Sequence, residues 1–158
     1  LKKWLDPTPI FRNVKLPFLR AFYSTAPYVE EEFLNFVRFL ESFSKDIIKP
    51  AHIIRLRIND RIEHILTNYL SQITYFTKFI IDINLFLKDV EMNRHYYTHN
   101  DYSKSQRATA GFALYKINKK LQAISIACIL KYLGFTESEI DKRFTTNITT
   151  DFWLKKFK

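Results

Sequence analysis

Apolar residues recur at three- and four-residue spacing through most of this chain. Phe33, Phe36, Val37, Leu40, then Ser44 or Phe43, and Ile47 fall on one face and predict a first helix over about 28–47. Glu30, Glu31 and Glu32 crowd its first turn, where negative charge suits the positive end of the helix dipole, and Pro50 stops it. A second helix, about 54–71, carries Ile58, Ile62, Ile65, Leu66, Tyr69, Leu70 and Ile73 as one stripe, with Arg55, Arg57, Arg61 and Glu63 opposite. After a break near Ser71–Thr74, a third helix is expected over about 74–92, with Phe76, Ile80, Ile83, Leu87 and Val90 inward. A fourth spans about 104–133 and buries Leu114, Ile117, Leu121, Ile124 and Cys128. Gly134 stands where a left-handed C-terminal cap is needed. Thr136 and Glu139 then form a T-x-x-E capping box for a short helix through Phe144.

The two ends read differently. Residues 1–28 hold Pro7, Pro9, Pro17 and Pro27 and are expected to be a connector with short helical pieces. Trp4, Phe11, Phe18, Phe22 and Tyr23 would still pack on something, so this stretch is either an ordered strap across the domain or a linker from an upstream one. Residues 146–158 form a basic aromatic tail, with Phe152, Trp153, Leu154 and Phe157 among Lys155, Lys156 and Lys158. The chain begins at Leu1 and its one Met is Met92, so a proteolytic fragment or a domain cut from a longer protein is expected. The resulting expectation is an all-α fold: one helical domain, 29–145, with four long helices in a bundle plus short accessory ones.

Composition narrows the classes. With 47% hydrophobic residues, 15 Phe, 9 Tyr and only 2 Gly, packed helices suit the chain better than a β sandwich. The longest apolar run, ITYFTKFIIDINLFLKDV, is interrupted by Lys78, Asp82 and Asn84, short of the roughly 18 residues of a membrane span. No membrane association is expected, and no signal-peptide pattern is present. The single Cys128 lies in AISIACILKYL; it excludes an internal disulfide and fits a reducing cytoplasm as a small core residue. The net charge of +9 favours a polyanionic partner such as nucleic acid, although basic solubility surfaces share that balance. A Gly-rich phosphate loop is absent, which argues against a kinase or nucleotidase.

Candidate chemistry concentrates in NRHYYTHND, residues 93–101. His95 and His99 are spaced i,i+4, as two metal ligands on one helical face would be. A zinc-protease motif needs Glu where Tyr96 stands, a third ligand would come from Asp101, His52 or His64, and Arg94 repels a cation. No metal or other cofactor is therefore expected, and His52 and His64 read as structural. Metal-free RNA cleavage is the second option. It needs a group to take the 2′-OH proton, a group to protonate the leaving 5′ oxygen, and a cation for the charge on phosphorus. Histidine serves the proton roles near neutral pH, and the arginine fork matches two phosphate oxygens. If the helix ends between Arg94 and His99, the turn brings both toward one phosphate. The third option is a polar helix end. There Arg94 pairs with Asp89 or Glu91, His99 caps the helix, at least one of Tyr96 and Tyr97 packs in the core, and Lys104 and Arg107 belong to a solvated face.

The same residues carry a resemblance. Arg94-His95-Tyr96-Tyr97-Thr98-His99 resembles the R-x4-H signature of HEPN ribonuclease domains, and the flanking pattern is similar to the ApeA-like branch. FLNFVRFLESF at 33–43 resembles that branch's early helix with its Leu-Glu pair, here Leu40-Glu41. NRHYYTHND resembles its R-N-Y-x-x-H-x-D core, with His95 where Asn is more usual. ILKYLGF at 129–135 resembles its LLxYLGF end, and the likeness extends over about 28–145. The resemblance implies a helical domain that pairs as a homodimer, with R-x4-H motifs facing each other in a composite cleft. It implies metal-independent endoribonuclease activity leaving a 2′,3′-cyclic phosphate, in a cytoplasmic anti-phage or toxin-type protein held in check by an upstream sensor domain or an inhibitor. Arg94 would then bind the scissile phosphate and His99 would transfer a proton. His95 would orient the pair or contact RNA, Glu41 would partner Arg94, and Asn93 and Asp101 would support by hydrogen bonding. Tyr97, Lys104 and Arg107 would contact RNA. The alternative is a non-catalytic HEPN-type module for dimerisation or for sensing a nucleotide or RNA.

Overall fold

The Phe-rich stripe over 33–43 lies at the centre of the molecule. The computed structural model describes residues 9–23, 28–49, 57–99 and 108–146. In it Phe33, Phe36, Phe39 and Phe43 expose no surface. They belong to α2 (Val29–Phe43), which a π-helical turn, Ser44–Ile48, extends to a left-handed Lys49 with φ 47°. Two long helices flank this one. On one side α1 (Pro9–Tyr23) packs Phe18 against Phe39 and Phe22 against Phe36, and Val14 is fully buried. On the other, α6 (Gly111–Leu133) buries Leu114, Ile117, Leu121, Ile124 and Cys128, as their spacing predicted. The buried Asn118 of α6 donates to Val29 O (2.8 Å) and Glu32 Oε2 (3.0 Å), tying α6 to the start of α2.

Four expectations change here. The helix predicted from about 104 begins at Gly111, with residues 108–110 outside it. Where short pieces were predicted, α1 is one 15-residue helix with Pro17 inside it. Proline costs that helix one N–H donor, and the burial of Val14 and the Phe18 and Phe22 contacts offset the loss. Tyr23, expected to pack, is 78% exposed. The helix predicted over 74–92 is two helices, α4 (Thr74–Phe79) and α5 (Ile83–His99). Asp82 explains the division: its Oδ1 accepts the Leu85 N–H at 2.9 Å, an N-cap that starts a new helix inside an apolar run.

The remaining elements follow their signals. The stripe of the second predicted helix is buried along α3 (Ile58–His64) and a second π-helical turn, Ile65–Tyr69; residues 50–56 lie outside the described residues. Gly134 caps α6 with φ 102°, and the box at Thr136 and Glu139 opens α7 (Glu137–Thr146). Asp141 accepts from Thr74 Oγ1 (2.7 Å) and the Tyr75 N–H (2.8 Å), and Phe144 stacks on Tyr75 at 4.8 Å, so α7 packs on α4. Lys131 of α6 joins Tyr69 O to Glu137. The described residues are all-α, without strands, and none of their helices is long and apolar enough to cross a membrane. Among the described residues the four longest helices are α1, α2, α5 and α6. The aromatic tail after Thr146 lies outside the described residues.

Candidate functional site

The helix does not end between Arg94 and His99. α5 runs unbroken to His99, so residues 93–99 of the polar stretch form its last turns. On a helix, five positions separate two side chains by about 140° around the axis. Arg94 and His99 therefore leave α5 on different sides. Arg94 points at α2, where its Nη2 lies 2.8 Å from Glu41 Oε1, with both side chains about one-third exposed. Glu91, one turn earlier on that side, accepts from Asn59 Nδ2 of α3 at 2.8 Å. The partner of Arg94 is thus Glu41, not Glu91 or Asp89.

His99 is exposed at the end of α5, and the ring of His95 lies one turn back, 5.0 Å from it between centroids. The i,i+4 pair therefore exists as a geometric fact. Among the described residues, no three His, Cys, Asp or Glu side chains gather to hold a metal ion. His64 sits on α3 with a buried Nδ1 that finds no hydrogen-bond partner among the described residues. Cys128 is fully buried, and burial pushes its thiol far above the ordinary range.

Two core-facing residues of α5, Asn93 and Tyr97, hold the site to the body of the protein. Asn93 exposes no surface. Its Nδ2 donates to Asp89 O (2.7 Å) and Thr109 Oγ1 (3.1 Å), and its Oδ1 accepts the Thr109 N–H (2.7 Å). Tyr97 donates its hydroxyl to Thr109 O at 2.7 Å and packs its ring near Phe33, 6.1 Å between centroids. Burial pushes the Tyr97 hydroxyl pKa up, and the nearby Glu30 carboxylate adds to it. The support expected of Asn93 is thus a clamp on Thr109, the segment that leads into α6. Tyr97, partly buried, has its hydroxyl bonded and its ring packed near Phe33. Tyr96 remains partly exposed, edge-on to Tyr97 at 4.9 Å. Thr109 escaped the sequence reading because nothing in a lone Thr before Gly111 pairs it with a residue on the preceding helix.

The structure brings Glu41 and Arg94 together, and His95 and His99 together, as two groups on different sides of α5. Asp101, Lys104, Arg107 and His52 lie outside the described residues. As an arrangement, the first group is an oriented guanidinium with N–H donors left for an anion. The second is a pair of imidazoles at a partly exposed helix end.

The model of the Apea-like HEPN family matches residues 34–139. No curated protein and no solved structure matches the chain. The matched region spans more than half of the chain and includes both Glu41 and the whole Arg94–His99 motif. The chain belongs to the Apea-like HEPN family.

Proposed function

We propose that this domain is a metal-independent endoribonuclease, the effector part of an anti-phage or toxin-type defence protein. The observation that carries the reading is the ion pair between Glu41 of α2 and Arg94, which lies on the helix that ends in His99. A guanidinium held by one carboxylate is fixed in direction yet keeps donors for phosphate oxygens. Arg94 then stabilises the charge that builds on phosphorus as the 2′-OH attacks. His99 moves a proton, either from the 2′-OH or to the departing 5′ oxygen, and the products are a 2′,3′-cyclic phosphate and a 5′-OH end. Because Arg94 and His99 diverge on one helix, two copies of the chain supply the complete set, each facing the other's motif across a homodimer cleft. His95 orients the neighbouring imidazole or contacts RNA. An RNase that is always active destroys its own host, so an upstream sensor domain or an inhibitor controls it, and the cytoplasm is where it meets RNA.

A second reading takes the divergence of Arg94 and His99 at face value: a HEPN-type module that pairs or senses a nucleotide or RNA without cutting. Cleavage of total RNA and of a tRNA pool in EDTA separates the two. The parent protein cuts and leaves cyclic-phosphate ends, while His99→Ala and Arg94→Ala, folded by circular dichroism, do not. Parent-level cutting by both folded variants would remove Arg94 and His99 from the active site.

A further inference from the structure

A cleft of about 420 Å³ opens beside α5, between the α4–α5 turn and α6. Lys78, Lys116, Lys119 and Lys120 line it, against Asp82 and Asp89. The basic residues outnumber the acidic ones, and apolar surface stands among them. Ile81 is 84% exposed and Leu85 55%, and Phe112, one turn before Lys116, is 57% exposed. The lysines of α6 alternate with aromatic rings. Lys116 Nζ lies 5.2 Å from the centre of Phe112, Lys119 Nζ 4.8 Å from Tyr115, and Lys120 Nζ 5.5 Å from Phe86. The Phe112 and Tyr115 rings are near-parallel, 19° apart.

A solvated helix face explains lysines, and cation–π contacts explain part of the pairing. Neither explains exposed Ile81, Leu85 and Phe112 around a basic cleft. Burial holds the Lys120 amine below its ordinary pKa, with Asp89 pulling the other way, so this is a desolvated cation that an arriving anion stabilises. Cationic side chains interleaved with π faces match a single nucleic-acid strand, whose phosphates and unstacked bases meet both kinds of surface. A duplex keeps its bases stacked inside and offers nothing to the apolar part.

The cleft also points at the candidate site. Leu85, Asp89, Met92, Tyr96 and His99 follow one another at four- and three-residue steps, which is one line along a helix. Asp89 in the cleft wall and His99 are ten residues apart, about 15 Å along α5. We infer that a single-stranded stretch of the substrate RNA lies in the α5–α6 cleft, with phosphates on Lys116, Lys119 and Lys120 and a base against Phe112, and runs along the Leu85–His99 line toward the cutting end. The inference rests on the ribonuclease reading for its direction, and on the cleft alone for binding.

The test is fluorescence anisotropy with a labelled 2′-O-methyl oligoribonucleotide, which cannot be cut, titrated at several salt concentrations. The double variant Lys116→Gln/Lys119→Gln should bind about tenfold more weakly, with a log–log salt slope shallower by about 0.7 for each phosphate that is no longer neutralised. Phe112→Ser should weaken binding and leave the slope unchanged. Parent-like affinity and slope in both folded variants would overturn the inference. So would equal affinity for a duplex of the same sequence, or displacement of the oligonucleotide by a mononucleotide at equal molarity. Binding is read without cutting. A parent that binds in this way but never cleaves natural RNA therefore retires the ribonuclease reading and keeps the cleft. A parent that cleaves, with variants that bind as it does, does the reverse.

Discussion

Asn93 gives the sharpest test of how the site is held. Its side chain makes three hydrogen bonds with no exposed surface, two of them to Thr109. In Asn93→Ala the Asp89 carbonyl keeps its helical partner, but the Thr109 N–H is left without one. An orphaned buried donor costs about 1–3 kcal/mol, and the missing side-chain bonds bring the expected destabilisation to about 2–4 kcal/mol. Asn93→Asp has nearly the same shape and a different defect. Its Oδ1 still accepts from Thr109, but a second oxygen replaces the Nδ2 that lies 2.7 Å from Asp89 O, so two acceptors face each other. Only the protonated acid donates there, so folding raises the pKa of the new carboxyl. A raised folded pKa means the ionised form is penalised at neutral pH, and the penalty fades as pH falls through that value. Urea melts followed by far-UV circular dichroism should show Asn93→Ala destabilised at all pH, and Asn93→Asp converging on the parent in acid. An Asn93→Ala loss below about 0.5 kcal/mol, the range of an ordinary surface change, would refute the clamp. So would an Asn93→Asp deficit that ignores pH.

Glu41→Gln should change stability by less than about 1 kcal/mol, since the pair is partly solvated. RNA cleavage should nonetheless fall about tenfold or more as Arg94 loses its direction, and unchanged cleavage would make Glu41 a bystander. Gly134→Ala meets no steric obstacle but forces a side chain onto φ 102°, which should cost about 1–2 kcal/mol and lower Tm by about 2–8 °C. The hydrogen bond from Lys131 holds the Glu137 carboxyl below its ordinary pKa. Its contribution is therefore present above the unfolded-state carboxyl pKa and lost as pH falls through the lowered one. The stability gap between the parent and Glu137→Gln should be open at neutral pH and closed in strong acid; a gap constant with pH would reject the ion-pair account.

Most of the core was legible because its stripes are regular: every apolar residue named for α6 and most of those named for α2 and α3 are buried. Three features were not. The Asp82 cap lies inside the run FIIDINLFL, where Ile80 and Ile81 continue the apolar pattern straight through the break. The continuation of α5 past Met92 was hidden because its core-facing residues there are Asn93 and Tyr97, a fully polar amide and a hydroxyl-bearing ring, which hydropathy scores as surface. Pro17 suggested fragments where the structure has one helix, because the contacts that compensate it come from α2 and leave no local trace. At the site, the 2.8 Å meeting of Arg94 with Glu41 was anticipated from the family pattern and not from spacing, since two residues on separate helices have no local signature. The lysine cleft went unnoticed for the same reason. Lys116, Lys119 and Lys120 look like the wet side of α6 until the α4–α5 turn is laid against them.

The double grip on Thr109 also sets where α6 begins relative to α5. Asn93 and Tyr97 belong to α5, and Thr109 stands two residues before α6, so the two helices are joined by hydrogen bonds as well as by chain. Three bonds of 2.7 to 3.1 Å seat the entry of α6 against the last turns of α5. A substitution at Thr109 is therefore felt at His99, ten residues away in sequence, because both hang on the same two side chains of one helix.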